Sequence, residues 1–421
     1  MAHISVATKL QNNTEQSGQI KLKTVLEDAA GKSVAEDTIS VDLKPEAVET
    51  FEQELSLGSP NLWSVDNPYL YTLESTVIAN GKSKNKVLTQ VGIRSLSFDS
   101  KEGFKLNGQV LKLKGGCVHH DCGILGVAAY DRAEERKIEL LKNSGFNAVR
   151  CAHNPPSPAF LDACDRLGML VINEAFDCWR ENKEPNDYGQ YFDFCWEDDL
   201  TALILRDRNH PSIIMWSTGN EVIEADGRSG GNKLSQELAD FVRNVDDTRP
   251  IINSLYPIPN INNQIDEKSL QNEGDVWAEA TEEFAKPLDI VGYNYLLHRY
   301  EYDGKKYPDR IICGTETFPT QSFHYWEATK NLPHVIGDFV WTSMDYLGEA
   351  GIGFVYYGAD KGSGRNYPWL TANVGDIDIC GFKRPQSYYR DCVWGISLKP
   401  YIAVHPPKYY GKTPEKTPWS W

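Results

Sequence analysis

Two glutamates stand where chemistry is easiest to hold. Glu221 closes the stretch Met215-Trp216-Ser217-Thr218-Gly219-Asn220-Glu221, and Glu316 closes Ile311-Ile312-Cys313-Gly314-Thr315-Glu316. Each follows an apolar run of strand length, so each carboxylate is expected at the rigid end of a buried strand. One such glutamate alone reads equally well as an acid pinned by a neighbouring arginine for stability. Two of them suggest a working pair. Carboxyl groups about 5–5.5 Å apart serve a retaining glycosidase as nucleophile and acid/base, whereas about 6.5–9.5 Å leaves room for the water of an inverting one.

Other polar and aromatic residues gather at the ends of similar runs. They are His119-His120-Asp121, Arg150 followed by His153, Glu174 followed by Asp177 and Trp179, Asn220 beside Glu221, Asn294-Tyr295, and Trp341. Arg150 is expected among the carboxylates, as a fixed charge. His120 and His153 read as hydrogen-bond partners for a substrate. The spacing offers neither His-x-x-x-His nor His-Glu-x-x-His, so the metal signal is weak. Trp341 suits a stacking wall for the C–H face of a sugar.

Eight apolar runs must position these residues: Leu111 to Val118, Ala148 to Arg150, Met169 to Asn173, Ser212 to Ser217, Pro250 to Leu255, Asp289 to Tyr295, Arg310 to Gly314 and Val335 to Trp341. Helix-period segments separate them. The first is read as capped by Asp131 with Glu134 completing a capping box, Ile138 and Leu141 facing inward, and Gly145 as terminator. The next has Phe160, Leu161, Cys164 and Leu167 inward and ends at Gly168. Eight such βα units predict a (β/α)₈ barrel, whose functional side chains cluster where the strands end. A doubly wound sheet would need a Gly-rich phosphate loop after its first strand, and Lys114-Gly115-Gly116-Cys117 is too short for one.

Residues 1–97 follow a different grammar. Ile20 to Leu26 and Tyr69 to Ile78 alternate with period two, between turn signals at Ala30-Gly31-Lys32, Ser59-Pro60-Asn61 and Asn80-Gly81-Lys82. That pattern predicts an antiparallel β-sandwich serving as a scaffold. The expected division is a sandwich over 1–97, the catalytic barrel over 98–405 and a tail or linker over 406–421. Loops 179–195 and 355–375, rich in Tyr, Trp, Gly and Asp, are expected to shape a pocket or an open cleft.

Composition narrows the partners. The 421 residues carry 43 Lys and Arg against 59 Asp and Glu, a net charge of −16. So acidic a surface repels phosphate backbones and anionic lipid, which disfavours nucleic acid and membranes as partners. No apolar run reaches the ~18 residues of a membrane helix. The 11 Trp and 21 Tyr favour carbohydrate mildly, because flat rings with a polar tip suit sugar faces. Nine cysteines form no Cys-x-x-Cys pair, and their odd number leaves at least one thiol free.

At this point a resemblance is visible. Asn147 to Pro155 (Asn-Ala-Val-Arg-Cys-Ala-His-Asn-Pro) with Cys164-Asp165-Arg166-Leu167-Gly168, and Asp207 to Ser217 leading into Gly219-Asn220-Glu221, resemble the two signatures of glycoside hydrolase family 2. Gly115 to Asp121 and Gly314 to Phe318 extend the likeness over most of the barrel, and region 1–97 is similar to the family's immunoglobulin-like domain. The resemblance implies an immunoglobulin-like sandwich followed by a TIM barrel, and a retaining β-glycosidase with Glu221 as acid/base and Glu316 as nucleophile. It implies sugar contacts at Asn220, His120, Arg150, His153, Tyr295 and Trp341, with Asp177 and Trp179 added from the third strand. Tyr295 is preferred over Tyr293 as the nucleophile's partner, because it stands last on its strand.

Three departures matter. The family's leading jelly-roll domain is not in this sequence, and with the abrupt Pro/Trp/Lys-rich end the expectation is a fragment of a longer enzyme. Cys178 and Arg180 stand where large bacterial β-galactosidases carry metal ligands, so no catalytic metal and no cofactor are expected. Gly381-Phe382-Lys383 stands where family glucuronidases carry Asn-x-Lys. The expectation is therefore hydrolysis of a terminal β-linked hexose, a β-galactoside first. The alternatives are β-glucuronidase, β-mannosidase, a glycanase, or a non-catalytic carbohydrate-binding fragment. Homo-oligomerisation is left open, and the compartment is periplasmic or secreted if a missing leader carried an export signal, otherwise cytoplasmic.

Overall fold

The structure is a computed structural model and describes residues 1–357 and 369–420. Residues 358–368, within the loop expected to shape the pocket, lie outside the described residues. The chain divides into two compact units: Met1–Ser95 with Asn209–Pro211, and Leu96–Arg208 with Ser212–Trp421.

The first unit is an antiparallel sandwich. Strands β1 (Ala2–Gln11), β2 (Gly18–Glu27), β3 (Ser33–Leu43), β4 (Val48–Leu57), β5 (Tyr71–Ala79) and β6 (Lys82–Val91) form a β1-β4 sheet and a β3-β2-β5-β6 sheet. Alternation decides which side is buried: Leu22, Thr24 and Leu26 of β2 point in while their neighbours face out or half out. Val6, Leu26, Leu55, Tyr71 and Leu73 build the core. Within it Thr24 donates to Gln53 at 2.7 Å, so two buried polar groups satisfy each other. The β5–β6 hairpin turns on Asn80 (φ 52°) and Gly81 (φ 70°), the two left-handed positions that a tight two-residue hairpin requires.

The second unit opens with a small sheet, β7 (Leu96–Asp99), β8 (Gly103–Leu106) and β9 (Gln109–Val110). A closed parallel barrel follows: β10 (Leu113–Val118), β11 (Ala148–Cys151), β12 (Leu170–Glu174), β13 (Ile213–Asn220), β14 (Ile251–Leu255), β15 (Ile290–Asn294), β16 (Ile312–Thr317) and β17 (Val335–Val340), with β17 pairing back to β10. All eight sequence runs are barrel strands. Helices α1 (Asp131–Asn143), α2 (Pro158–Leu167), α3 (Gly189–Asp207), α4 (Gly231–Val245), α5 (Glu267–Asn272), α6 (Val276–Ala285), α7 (Tyr300–Lys306), α8 (Ser322–Asn331) and α9 (Pro385–Val393) occupy the crossovers and the end of the barrel. The fold is thus a β-sandwich followed by a TIM barrel.

Local detail departs from expectation in three places. Asp131 is not the cap of α1 but its first residue, and Glu134 turns inward, buried against Lys137 at 3.3 Å, in place of closing a capping box. The 179–195 stretch is loop only as far as Tyr188, because Phe192, Leu200, Leu203 and Ile204 bury one face of α3. Residues 406–421 include a strand, β19 (Pro414–Lys416), paired antiparallel with β18 (Val355–Tyr357), so this segment is not a plain linker. By contrast α2 is legible to the residue. Ser157 accepts from the Phe160 N–H, and Gly168 ends the helix at φ 73°. No helix among the described residues is long and apolar enough to cross a membrane. All nine cysteines are free.

Candidate active site

The strand ends converge on one buried arginine. Arg150, on β11, is fully buried, and burying a guanidinium is tolerable only if its donors are matched. Its Nη1 donates to Glu316 Oε1 at 2.9 Å, and its Nη2 to Glu174 at 2.9 Å and to Asn220 Oδ1 at 2.7 Å. Nε adds a bond to Glu174 Oε2 at 3.1 Å. One guanidinium therefore ties strands β11, β12, β13 and β16 together at their ends.

Each remaining polar atom has one workable role. Glu174 also meets His153 Nδ1 at 2.8 Å and the Ser217 hydroxyl at 2.7 Å. The other ring nitrogen of His153, Nε2, lies 3.3 Å from Asn220 Nδ2. Asn220 Nδ2 also donates to Asp177 Oδ1 at 3.0 Å, so the Asn220 amide is locked in one orientation. Lys183 neutralises Asp177 at 2.7 Å. Burial alone would raise the Asp177 carboxyl, but His153, Lys183 and Asn220 outweigh it and hold it down at about 2.

The two glutamates sit in contrasting surroundings. Glu316 receives Arg150 on Oε1 and the Tyr295 hydroxyl on Oε2, the latter at 2.8 Å. Glu221 follows β13 in a left-handed conformation, φ 43°. Among the described residues it accepts a single side-chain bond, from Asn294 Nδ2 at 2.9 Å, and the same Asn294 amide reaches Asn220 Oδ1 at 3.1 Å. Burial first, and then the negative charge of Glu316, push the Glu221 carboxyl up to about 7. One acid is thus braced by strong donors while its partner keeps a proton near neutrality, the asymmetry that acid/base chemistry needs.

Aromatic rings wall the cluster. Trp341, just past β17, stacks on His153 with centroids 5.3 Å apart and planes at 6°. His119 stacks on Tyr346 at 3.9 Å and meets Trp341 edge-on. A cavity of about 470 Å³ opens alongside, lined by His153, Asp177, Phe176, Tyr188, Asp199 and Arg206 among others.

The structure brings together Glu221, Glu316, Asn220, Arg150, His153, Asp177, Tyr295 and Trp341. It does not bring in two of the expected residues. His120 is exposed, because its neighbour His119 takes the inward position against Trp341 and Tyr346. Trp179 is fully buried between Phe192 and Phe284, its indole donating to the Thr218 carbonyl at 2.9 Å, and is a core residue. Three residues of the cluster, Glu174, Asn294 and His119, stand at the strand ends noted in the sequence but were not among the expected site residues. Glu174 closes β12 and Asn294 closes β15, so strand position alone was enough to nominate them. Tyr293 turns away, donating to Asp303 at 2.7 Å.

Comparison with known proteins places this geometry in a family. The profile described as "Glycosyl hydrolases family 2, TIM barrel domain" matches residues 99–345, more than half of the chain, and that described as "Glycosyl hydrolases family 2" matches residues 1–94. A relative from Bacteroides ovatus named beta-galactosidase BoGH2A is 31% identical over 93% of this chain and 51% of its own length. A crystal structure of a glycosyl hydrolase family 2 member from Bacteroides cellulosilyticus superposes with a TM-score of 0.86 at 41% identity, over 100% of this chain and 52% of that one. A Bacteroides uniformis beta-glucuronidase shares the fold, with a TM-score of 0.74 at 22% identity over 93% of this chain and 48% of that one. The chain spans about half the length of each. On the extent of the matched profiles, this chain belongs to glycosyl hydrolases family 2.

Proposed function

We propose that the chain carries the catalytic centre of a retaining β-glycosidase acting on a terminal β-linked hexose, a β-galactoside first. In this reading Glu316 attacks the anomeric carbon while protonated Glu221 donates its proton to the leaving glycosidic oxygen. The C–O bond to the aglycone breaks as the ester to Glu316 forms. Glu221, now charged, takes a proton from water, the water oxygen bonds to the anomeric carbon, and Glu316 leaves with β configuration restored.

One observation carries the reading: two buried glutamates in unlike surroundings, Glu316 bracketed by Arg150 and Tyr295, and Glu221 held by Asn294 and pushed up to about 7 by burial and the charge of Glu316. A neutral hexose is favoured over a uronate by the charge balance. Among the described residues, the cations in the cluster, Arg150 and Lys183, are matched to Glu174, Glu316 and Asp177. Lys383, the cation nearest in sequence to the glucuronidase motif, is paired with Asp391 at 2.6 Å. Asp177 would also repel a second carboxylate. The relative named beta-galactosidase points the same way.

A panel of chromogenic aryl β-glycosides tests the proposal. Turnover of the galactoside, lost in Glu316→Gln, supports it. Preferred cleavage of the glucuronide shifts the substrate, and binding without turnover of any aryl glycoside removes the enzyme reading in favour of a binding fragment.

A further inference from the structure

Tyr295, the hydrogen-bond donor to Glu316, does not stand alone. The segment around Trp419 returns to it. Strand β19 pairs with β18, the Thr417 hydroxyl donates to the Ile352 carbonyl at 2.7 Å, and Thr320 donates to the Pro418 carbonyl at 3.1 Å. These bonds hold Trp419 with its indole Nε1 donating to the Tyr295 hydroxyl oxygen at 3.2 Å. The indole ring meets Tyr295 edge-on at 5.8 Å and Phe318 at 5.4 Å, while Phe318 stacks on Tyr295 at 4.3 Å.

The chemistry of the donors fixes the direction of this chain. An indole N–H can only donate. The Tyr295 oxygen therefore accepts, and its single proton is left for Glu316 Oε2, 2.8 Å away. A hydroxyl that accepts a hydrogen bond is also a stronger donor. Tyr295 needs such bracing, because its backbone is left-handed at φ 58° and lies beyond the last residue of β15.

We propose that Trp419 is a positioning residue for the nucleophile, acting through a relay from the Trp419 N–H to the Tyr295 O–H to the Glu316 carboxylate. The inference rests on the reading of Glu316 as nucleophile. The relay steadies the charged carboxylate that attacks, and the same bond recovers its strength when the glycosyl ester breaks and charge returns to Glu316. A segment more than a hundred residues from Tyr295 in sequence thus becomes part of the turnover machinery without touching the substrate.

Trp419→Phe keeps a ring and removes only the N–H. With an aryl β-glycoside the relay predicts a kcat lower by about 3- to 10-fold, the worth of one hydrogen bond, and a KM within about twofold. The acidic limb of kcat/KM moves to higher pH, because the charged nucleophile has lost support. In a Tyr295→Phe background the same substitution changes nothing further. Equal losses in both backgrounds, or an unmoved kcat, overturn the relay. A second measurement needs no turnover: the ¹⁵N–¹H indole signal that disappears in Trp419→Phe should shift upfield in Tyr295→Phe and also move in Glu316→Gln. A signal indifferent to both overturns the relay. If instead the covalent intermediate forms on a residue other than Glu316, the nucleophile reading fails, while the Trp419–Tyr295 bond is still reported by the indole shift in Tyr295→Phe.

Discussion

At the scale of single residues, the site works through contrast between two like side chains. Glu221 is held up to about 7 by burial and by the charge of Glu316, so kcat/KM should fall as pH rises through about 7 and Glu221 loses its proton. Glu221→Ala should cost about 10²–10⁴-fold on substrates with poor leaving groups, the usual contribution of general acid catalysis, and little on aryl glycosides that leave unaided. A stability effect follows with the opposite benefit. The folded chain keeps the Glu221 proton to higher pH than the unfolded chain does, so this group weakens the fold as pH rises from about 4.5 through 7. Glu221→Gln should therefore raise the melting temperature at pH 8 relative to the parent, by an amount corresponding to about 1–3 kcal/mol, and give no such gain at pH 4. Thermal melts of both proteins at the two pH values check the sign. Arg150→Met should be the most damaging single change in the cluster. It leaves Glu174 and Glu316 buried without their cation, at a cost of about 3–5 kcal/mol that urea titration would read.

At the scale of elements, what was legible follows from periodicity. Parallel strands buried on both faces appear in sequence as unbroken apolar runs, and β10 to β17 were all visible for that reason. The residues at or just past their ends were visible too, which is why Glu174, Asn220, Asn294 and Glu316 could be placed near strand ends before any side chain was seen. Side-chain direction past a strand end was not. His119 and His120 are adjacent and chemically identical, and it is His119 that packs against Tyr346 and Trp341. Trp179 lies five residues beyond β12, where the path of the loop sends it into the core against Phe192 and Phe284. The segment around β19 carries no period at all, and its three-residue pairing with β18 depends on a partner some sixty residues away. Capping rules succeeded where a side chain had no competing partner. Ser157 caps α2, and Ser157→Ala should cost about 1 kcal/mol in chemical denaturation. They failed at α1, where Lys137 claims Glu134 for a buried ion pair.

For the molecule as a whole, a net charge of −16 surrounds a site whose cations, among the described residues, are matched to carboxylates. A neutral glycoside approaches such a surface without penalty, whereas an anionic one is repelled over roughly a Debye length, about 10 Å at 0.1 M salt. The kcat/KM ratio of an aryl β-galactoside to the matching β-glucuronide should therefore exceed one and shrink by about two- to fivefold as salt is raised from low to high concentration. The sandwich unit has a small core of its own, built from Val6, Leu26, Leu55, Tyr71 and Leu73. The central claim concerns Glu316, and a trapping experiment reaches it most directly. Incubation with an activated 2-deoxy-2-fluoro-β-glycoside, followed by intact mass and peptide mapping, should show one added glycosyl group on the peptide bearing Glu316, and none in Glu316→Gln. A glycosyl group attached to Glu221 or to any other residue would contradict the account, as would release of product with inverted configuration and no adduct.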